Sequence, residues 1–212
     1  MSMGGFISAL IVALLAGLVS RTTLLKEDAS LVGFYLISLA FGSLIVSISG
    51  NHVDLMHILF GTILAVDNSS LFLITCISTL TVTVLSIIYR PLILECFDPA
   101  YMASIRGNGG FYHGLFIILI VLCMVASFQA LGTLMALGMM MLPAIAARFW
   151  ARDILSMFMI SFLISIVSGY IGLLFSYHYI WPSGPAIILV AGTIYILSLV
   201  LGQYGSLRQR IG

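Results

Sequence analysis

The sequence predicts an all-α polytopic membrane protein, with about seven transmembrane helices in a bundle and a short helix on the cytoplasmic side. Of the 212 residues, 62% are hydrophobic and 7% are charged, and the mean hydropathy is +1.24. A water-exposed surface needs many more charged side chains, so most side chains must face lipid or one another. The hydrophobic residues are also grouped in long runs with short polar segments between them. Both observations exclude a soluble or disordered chain.

Seven apolar stretches approach or reach the roughly 20 residues that a helix needs to cross the hydrocarbon layer. They are 3–20, 29–49, 70–89, 111–127, 132–147, 154–177 and 184–203. A further apolar run at 53–66 is predicted to be interfacial or re-entrant on the outer side. A full crossing there would place Arg90 on the opposite side of the membrane from Arg21, against the charge pattern described next.

The eight basic residues mark every second connection and the C-terminus. They are Arg21, Lys26, Arg90, Arg106, Arg148, Arg152, Arg208 and Arg210. Cytoplasmic loops are enriched in Lys and Arg, so these connections and the C-terminus are predicted to be cytoplasmic and the N-terminus to lie outside. The net charge of +1 provides no basic surface for a phosphate backbone, so we predict no nucleic-acid partner.

Two side chains near the outer side are the first candidates for metal binding. Asp54 and His57 are three residues apart, so they share one face if this stretch is helical. Carboxylate and imidazole together suit a divalent ion such as zinc or manganese. The alternative is that both are simply solvated at the membrane interface.

Two further histidines are weaker candidates. His178 lies on the predicted outer side, between tyrosines that resemble an interfacial aromatic belt. His113 lies at the cytoplasmic start of the fourth stretch, where it is a candidate exit-side ligand or a side chain with a local hydrogen bond. Four methionines between 135 and 141 and two of the three cysteines are predicted to pack as apolar side chains, and no chemistry is assigned to any cysteine.

The cytoplasmic connection 90–110 mixes polar and apolar residues. Asp98 and Pro99 are typical of a helix start, with Asp as N-cap and Pro in the first turn. Phe97 and Tyr101 would be apolar anchors at helical spacing, and Glu95 precedes them. The short helix is either a membrane-surface helix or a docking element for a cytosolic subunit. The sequence pattern alone favours neither.

The sequence contains no metalloprotease helix, no nucleophile elbow and no phosphate-binding glycine loop. We therefore predict that the chain is not an enzyme and binds no cofactor tightly. Any active transport would draw its energy from a partner or from an ion gradient.

Five stretches together resemble the permease subunits of ABC importers for zinc and manganese. They are Glu-Asp-Ala at 27–29, HILFGTILAV at 57–66, Phe-Asp-Pro at 97–99, ALGTLMALGMMMLPAIAA at 130–147 and PSGPAIILV at 182–190. Their order matches the family and they extend over nearly the whole chain. The residues at 95–99 and 147–153 are most similar to those of zinc-type permeases.

The resemblance implies a single permease domain over 1–212 in a prokaryotic inner (plasma) membrane, moving Zn²⁺ or Mn²⁺, zinc before manganese. It implies a cytosolic ATP-binding subunit docked at Glu95, Phe97, Asp98, Pro99 and Tyr101. It also implies an extracytoplasmic metal-binding protein and a second permease copy in the lipid bilayer. Family members carry Gly-Asp and Ser-His motifs in two helices that precede the point where this sequence begins, so we transfer no family metal site. A transport-inactive, truncated interaction partner and a gradient-driven metal carrier are the alternatives.

Overall fold

The computed structural model describes residues 27–48, 68–97 and 109–204, together with positions 12, 14, 17 and 19, which have helical backbone. Within these ranges the chain is helical and contains no strand. Six helices have described bounds. They are α1 (Glu27–Ile48), α2 (Asn68–Phe97), α3 (Gly109–Leu131), α4 (Thr133–Arg148), α5 (Ile154–Tyr179) and α6 (Ser183–Leu201).

Five of these helices are long and apolar enough to cross a membrane: α1, α2, α3, α5 and α6. The polytopic, all-helical class is thereby confirmed for the described residues. The stretch 132–147 was expected to be a crossing, but α4 has 16 residues and falls short of the length required. At 1.5 Å per residue it extends about 24 Å, less than the roughly 30 Å of the hydrocarbon layer. The count of seven spans is not confirmed, since α4 is too short and most of 3–20 lies outside the described residues. The run 53–66, predicted to be interfacial or re-entrant, also lies outside them.

The chain divides into two compact units, Met1–Thr62 with Gly132–Gly212 and Ile63–Leu131. In the first unit α6 packs against α1, α4 and α5. More than half of the α6 span is buried, while α5 is mostly exposed. An apolar helix that is surrounded by other helices is typical of the centre of a membrane bundle.

Glycines on three helices let α6 approach its neighbours. A β-carbon at Gly172 of α5 would lie 2.5 Å from the Ile187 Cα, and one at Gly138 of α4 would lie 2.9 Å from the Ile188 Cγ1. On α1, a β-carbon at Gly33 would lie 3.3 Å from the ring of Tyr195, which is fully buried. Small residues at helix contacts allow this packing in lipid, where water exclusion does not drive association.

Ser161, Ser165 and Gly169 of α5 are small residues at four-residue spacing, which favours a close helix contact. A β-carbon at Gly169 would nevertheless meet nothing within 4 Å among the described residues. The buried residues of α5 are Ser168 and Gly172 instead. These two are also four residues apart, so they form a second ladder on a different side of the same helix.

The second unit contains α2 and α3, which pack against each other. The Thr81 hydroxyl lies 3.3 Å from the Cys123 sulfur across this contact. Much of the remaining α2 surface is exposed, and it carries several Ser and Thr side chains. Their hydroxyls donate to carbonyls three or four residues earlier, as Thr79 does to the Thr75 carbonyl at 2.8 Å. These bonds satisfy the hydroxyl donors within the helix.

Candidate functional site

Helix α2 ends further along the chain than the sequence predicts. The sequence placed it at Tyr89, with a loop beginning at Arg90, but the helix continues through Pro91 to Phe97. The 30 residues of α2 extend about 45 Å, well beyond the roughly 30 Å of hydrocarbon. A charged residue marks where a helix leaves lipid, but it does not end the helix, and 92–94 remain apolar.

Two of the predicted docking residues therefore belong to the last turn of a long helix. The Glu95 Oε2 is buried and has no hydrogen-bond partner within the described part of the chain. Burying a carboxylate oxygen without a donor costs free energy. A donor that reaches this end of α2 would therefore be stabilising. Asp98, Pro99 and Tyr101 lie outside the described residues, and the helix start at Asp98 stays a prediction.

The metal-site candidates are only partly within the described structure. Asp54 and His57 lie outside it. His113 is exposed in the first turns of α3, and His178 is exposed in the last turn of α5. Within the described ranges no three His, Cys, Asp or Glu side chains are grouped as a metal site would require. Neither histidine therefore belongs to a group of three potential ligands within the described part of the chain.

The methionine-rich stretch contributes to packing. Met135 is buried in α4, and the Met139 sulfur accepts a bond from the Ser168 hydroxyl at 3.9 Å. Met140 and Met141 are exposed. A polarizable thioether can fill an irregular contact of this kind, as the sequence interpretation expected for this stretch.

The connection between α4 and α5 is fixed to the end of α6. The Phe149 carbonyl accepts a bond from the Tyr204 N–H at 2.9 Å, and the Trp150 indole donates to the Ser198 hydroxyl at 2.9 Å. The Arg152 guanidinium lies 4.6 Å from the centre of the Tyr204 ring. Segment 147–153, whose residues resemble those of the family, is therefore held against the end of α6. Arg148 and Arg152 are exposed.

The turn between α5 and α6 contains a residue that the sequence interpretation missed. Ile180 has left-handed backbone (φ 54°, ψ 38°) and its side chain is 94% exposed. The Ser176 carbonyl accepts from the N–H groups of Ile180 and Trp181, and the Ser176 hydroxyl donates to the Trp181 carbonyl at 2.7 Å. A helix end of this type normally carries Gly, so a β-branched residue gives no signal for it in the sequence.

Aromatic rings lie beside this turn. Phe175 and Tyr179 are stacked with ring centres 6.1 Å apart, and the Tyr179 and Trp181 rings are 5.2 Å apart. The His178 ring lies against the edge of Tyr179 at 6.3 Å. His178 is thus part of an aromatic cluster at the helix end.

The described helices define a polytopic α-helical membrane protein without an enclosed metal centre in the described part of the chain. The sequence profile of the ABC 3 transport family matches residues 1–202, and the chain belongs to this family. It is accordingly a membrane permease component and not an enzyme, as the sequence predicted.

Two relatives and one solved structure illustrate the relationship. The chain is 29% identical to the manganese import system permease protein ScaB of Streptococcus gordonii, over 92% of this chain and 72% of that protein. It is 28% identical to the chelated iron transport system membrane protein YfeD of Yersinia pestis, over 98% and 70%. The structure of PsaBC from Streptococcus pneumoniae in complex with Fab has a TM-score of 0.64, with 25% identity over 92% and 70%. The predicted preference for zinc finds no support in the names of these relatives, which specify manganese and chelated iron.

Proposed function

We propose that the chain is the membrane-spanning subunit of an ATP-driven importer of a divalent metal ion, with manganese or iron favoured over zinc. The family match over residues 1–202 carries this proposal. The names of the relatives support the choice of metal. The metal is the transported substrate, and the proposal includes no tightly bound cofactor.

The proposed partners are a cytosolic ATP-binding subunit, an extracytoplasmic metal-binding protein and a second permease copy. The charge pattern of the connections supports an inner-membrane orientation with the C-terminus in the cytoplasm. Residues 1–212 would then form one permease domain. Alternating access would follow from two arrangements of the bundle, one favoured by ATP and the other by the loaded binding protein.

The ATP-binding subunit is proposed to dock on the segment that begins at the end of α2. The buried Glu95 oxygen has no donor among the described residues, and this supports the position because a partner can supply a hydrogen bond there. Phe97 and Tyr101 would be the apolar anchors, and Asp98 with Pro99 would begin the docking helix.

Transport and docking are tested together in membranes that contain the whole transporter. We expect ATP-dependent uptake of radioactive manganese, with iron as a stronger competitor than zinc. Asp98→Lys reverses the charge at the proposed N-cap, so it should abolish co-purification of the ATP-binding subunit and reduce uptake at least tenfold. Asp153→Lys is the matched control, because Asp153 is an exposed N-cap residue of α5 without a side-chain capping bond.

Each outcome separates the alternatives. Unchanged co-purification and uptake in Asp98→Lys would contradict the docking role while leaving the transport function in place. Uptake that persists without ATP and follows a proton gradient would replace the proposal by a gradient-driven carrier. Absence of any metal uptake by the assembled wild-type transporter would refute the proposed function.

A further inference from the structure

A groove lies between α5 and α6, at the end of the pair where α5 begins and α6 ends. Its volume is about 410 Å³, which lies within the usual range of small-ligand pockets. Its apolar lining consists of Trp150, Ile160, Ile164, Ile194, Leu197 and Leu201. Ser198 also lines it, but the Ser198 hydroxyl is bonded to the Trp150 indole at 2.9 Å. The groove therefore presents an apolar surface to whatever enters it.

The sequence of α5 explains why the two helices leave this space. They touch at Gly172 and Ile187, where α5 has no side chain. Ile160 and Ile164 continue the side of α5 that carries Ser168 and Gly172, because all four follow one another at four-residue spacing. Large side chains at the first two positions keep the helices apart there. Leu197 and Leu201 of α6 are more than half exposed, so the groove is open along its side.

The groove has a defined depth in the membrane. Helix α5 begins directly after Arg152 and Asp153, which are exposed and charged and therefore lie outside the hydrocarbon. Ile164 lies ten residues after the start of α5, so it is about 15 Å from that end. This is half of the roughly 30 Å of hydrocarbon, and the groove therefore extends through a single leaflet.

A cation is held at the end of the groove that faces the headgroups. The Arg152 guanidinium lies 4.6 Å from the centre of the Tyr204 ring, and Tyr204 follows Leu201 by three residues. The Tyr204 N–H bond to the Phe149 carbonyl fixes this ring beside the 149–153 connection. Within the described residues Arg152 has this ring contact and no ion pair. A guanidinium that lies over a ring keeps its in-plane N–H donors for an anion.

The other charges of the same connection leave a positive excess. Residues 148–153 contain Arg148, Arg152 and Asp153, so their formal charge is +1. Asp153 is the N-cap residue of α5, where the positive end of the helix dipole stabilises its carboxylate. Trp150 is partly exposed at this level, as is typical of an aromatic side chain at the membrane interface. The electrostatics therefore favour an anionic headgroup over a neutral one.

We propose that this groove is a binding site for one anionic phospholipid, with an acyl chain along the groove and the phosphate on Arg152. The two parts of the site match the two parts of such a lipid, in the right order along the membrane normal. Basic sites between membrane helices bind anionic headgroups, and the planar donors of Arg match a phosphate. The site is separate from the proposed metal ligands and does not depend on which ion is transported.

A helix of a second permease copy fits the same groove less well. A symmetric pair of copies would use the same surface on both chains. The positively charged connections of the two copies would then meet at the same depth in the membrane. Like charges that face one another in an interface oppose association, whereas they attract an anionic lipid.

The test measures contact between lipid and Trp150 in the complete chain, held in a neutral detergent. Trp181→Phe leaves Trp150 as the remaining tryptophan, and phospholipids with brominated acyl chains quench an indole on contact. We expect brominated phosphatidylglycerol to reach half-maximal quenching at about a fivefold lower mole fraction than brominated phosphatidylcholine. This is the effect expected of one basic residue near an anionic headgroup.

Variants in the Trp181→Phe chain separate the two parts of the site. Arg152→Gln should remove most of the fivefold preference, and Arg152→Lys should keep part of it, because Lys retains the charge without the planar donors. Arg90→Gln is the matched control, since Arg90 is an exposed arginine of α2 that does not line the groove. Ile164→Phe places a larger side chain in the groove and should weaken quenching by both lipids.

Equal quenching by the two brominated lipids would overturn the proposal, because the groove would then be covered by lipid of any kind. An undiminished preference in Arg152→Gln, at an unchanged melting temperature, would also overturn it. Absence of quenching by either lipid would do the same. Disulfide cross-linking of Leu197→Cys between two chains would in that case identify a second copy as the occupant.

Discussion

Gly172 and Ile187 bring the backbones of α5 and α6 into direct contact. A β-carbon on Gly172 would lie 2.5 Å from the Ile187 Cα and 2.9 Å from its amide nitrogen. Neither atom can rotate away as the end of a side chain can. The separation of the two helices is therefore set by the absence of a side chain at one position.

We expect Gly172→Ala to lower the stability of the permease by about 1–3 kcal/mol or more, as overpacking of a tight contact does. Gly169→Ala is the matched control on the same helix, because a β-carbon there would meet nothing within 4 Å in the part of the chain that the structure describes. Alanine favours a helix over glycine, so the control should be neutral or slightly stabilising. The measurement is the apparent melting temperature of both variants in detergent. Equal melting temperatures would contradict the close approach of α5 and α6.

A second glycine contact differs because it involves side-chain atoms only. A β-carbon at Gly192 of α6 would lie 2.6 Å from the Ile37 Cγ1 and 3.0 Å from its Cδ1. We expect Gly192→Ala to cost about 0.5–1.5 kcal/mol, the range for moving a side chain off its preferred rotamer. Adding Ile37→Ala should cancel this particular cost.

A double-mutant cycle of Gly192→Ala and Ile37→Ala, measured as melting temperature, tests this rescue. A stabilising coupling of about 1 kcal/mol is expected from residues in contact. The combination of Gly172→Ala with Ile187→Ala should show much weaker rescue, since two of the three closest atoms there belong to the backbone. Strictly additive effects for Gly192 and Ile37 would mean that α1 and α6 are not in contact at this position.

The sequence predicts the class of this protein and five of its spans because lipid imposes a strong and simple requirement. A crossing helix must be long and apolar, and both properties are visible in the sequence. The sequence does not predict which small residues meet a neighbour. Ser161, Ser165 and Gly169 have the same four-residue spacing as Ser168 and Gly172, and only the packing of α6 distinguishes the two ladders.

At the candidate sites, too, the sequence predicts only part of the structure. The end of α2 at Phe97 was missed because Arg90 and Pro91 suggest an end, while the apolar residues after them continue the helix. Ile180 was missed because left-handed helix ends are recognised by glycine. The proposed metal ligands are also beyond what spacing can establish, since a site depends on residues brought together from several helices.

The contact between Trp150 and Ser198 gives a third prediction. The indole N–H donates to the Ser198 hydroxyl at 2.9 Å, and Ser198 is buried in α6. Ser198→Ala should destabilise by about 1 kcal/mol, the value of a typical hydrogen bond in a protein. Trp150→Phe removes the donor and keeps an aromatic ring in place. In a cycle of these two variants, a coupling near zero would show that the bond does not fix the 149–153 connection to α6.

The metal ligands predicted from the sequence give the last prediction. Asp54 and His57 offer two ligands at helical spacing, whereas the described residues place no group of three potential ligands around His113 or His178. We therefore expect Asp54→Ala with His57→Ala to reduce the initial rate of manganese uptake at least tenfold. His113→Ala and His178→Ala should each leave uptake within about twofold of wild type, because one imidazole alone is a weak site for a divalent ion. All variants are compared at equal abundance in the membrane. A large loss in either single histidine variant, with normal uptake in the Asp54 and His57 double variant, would move the metal pathway to that histidine.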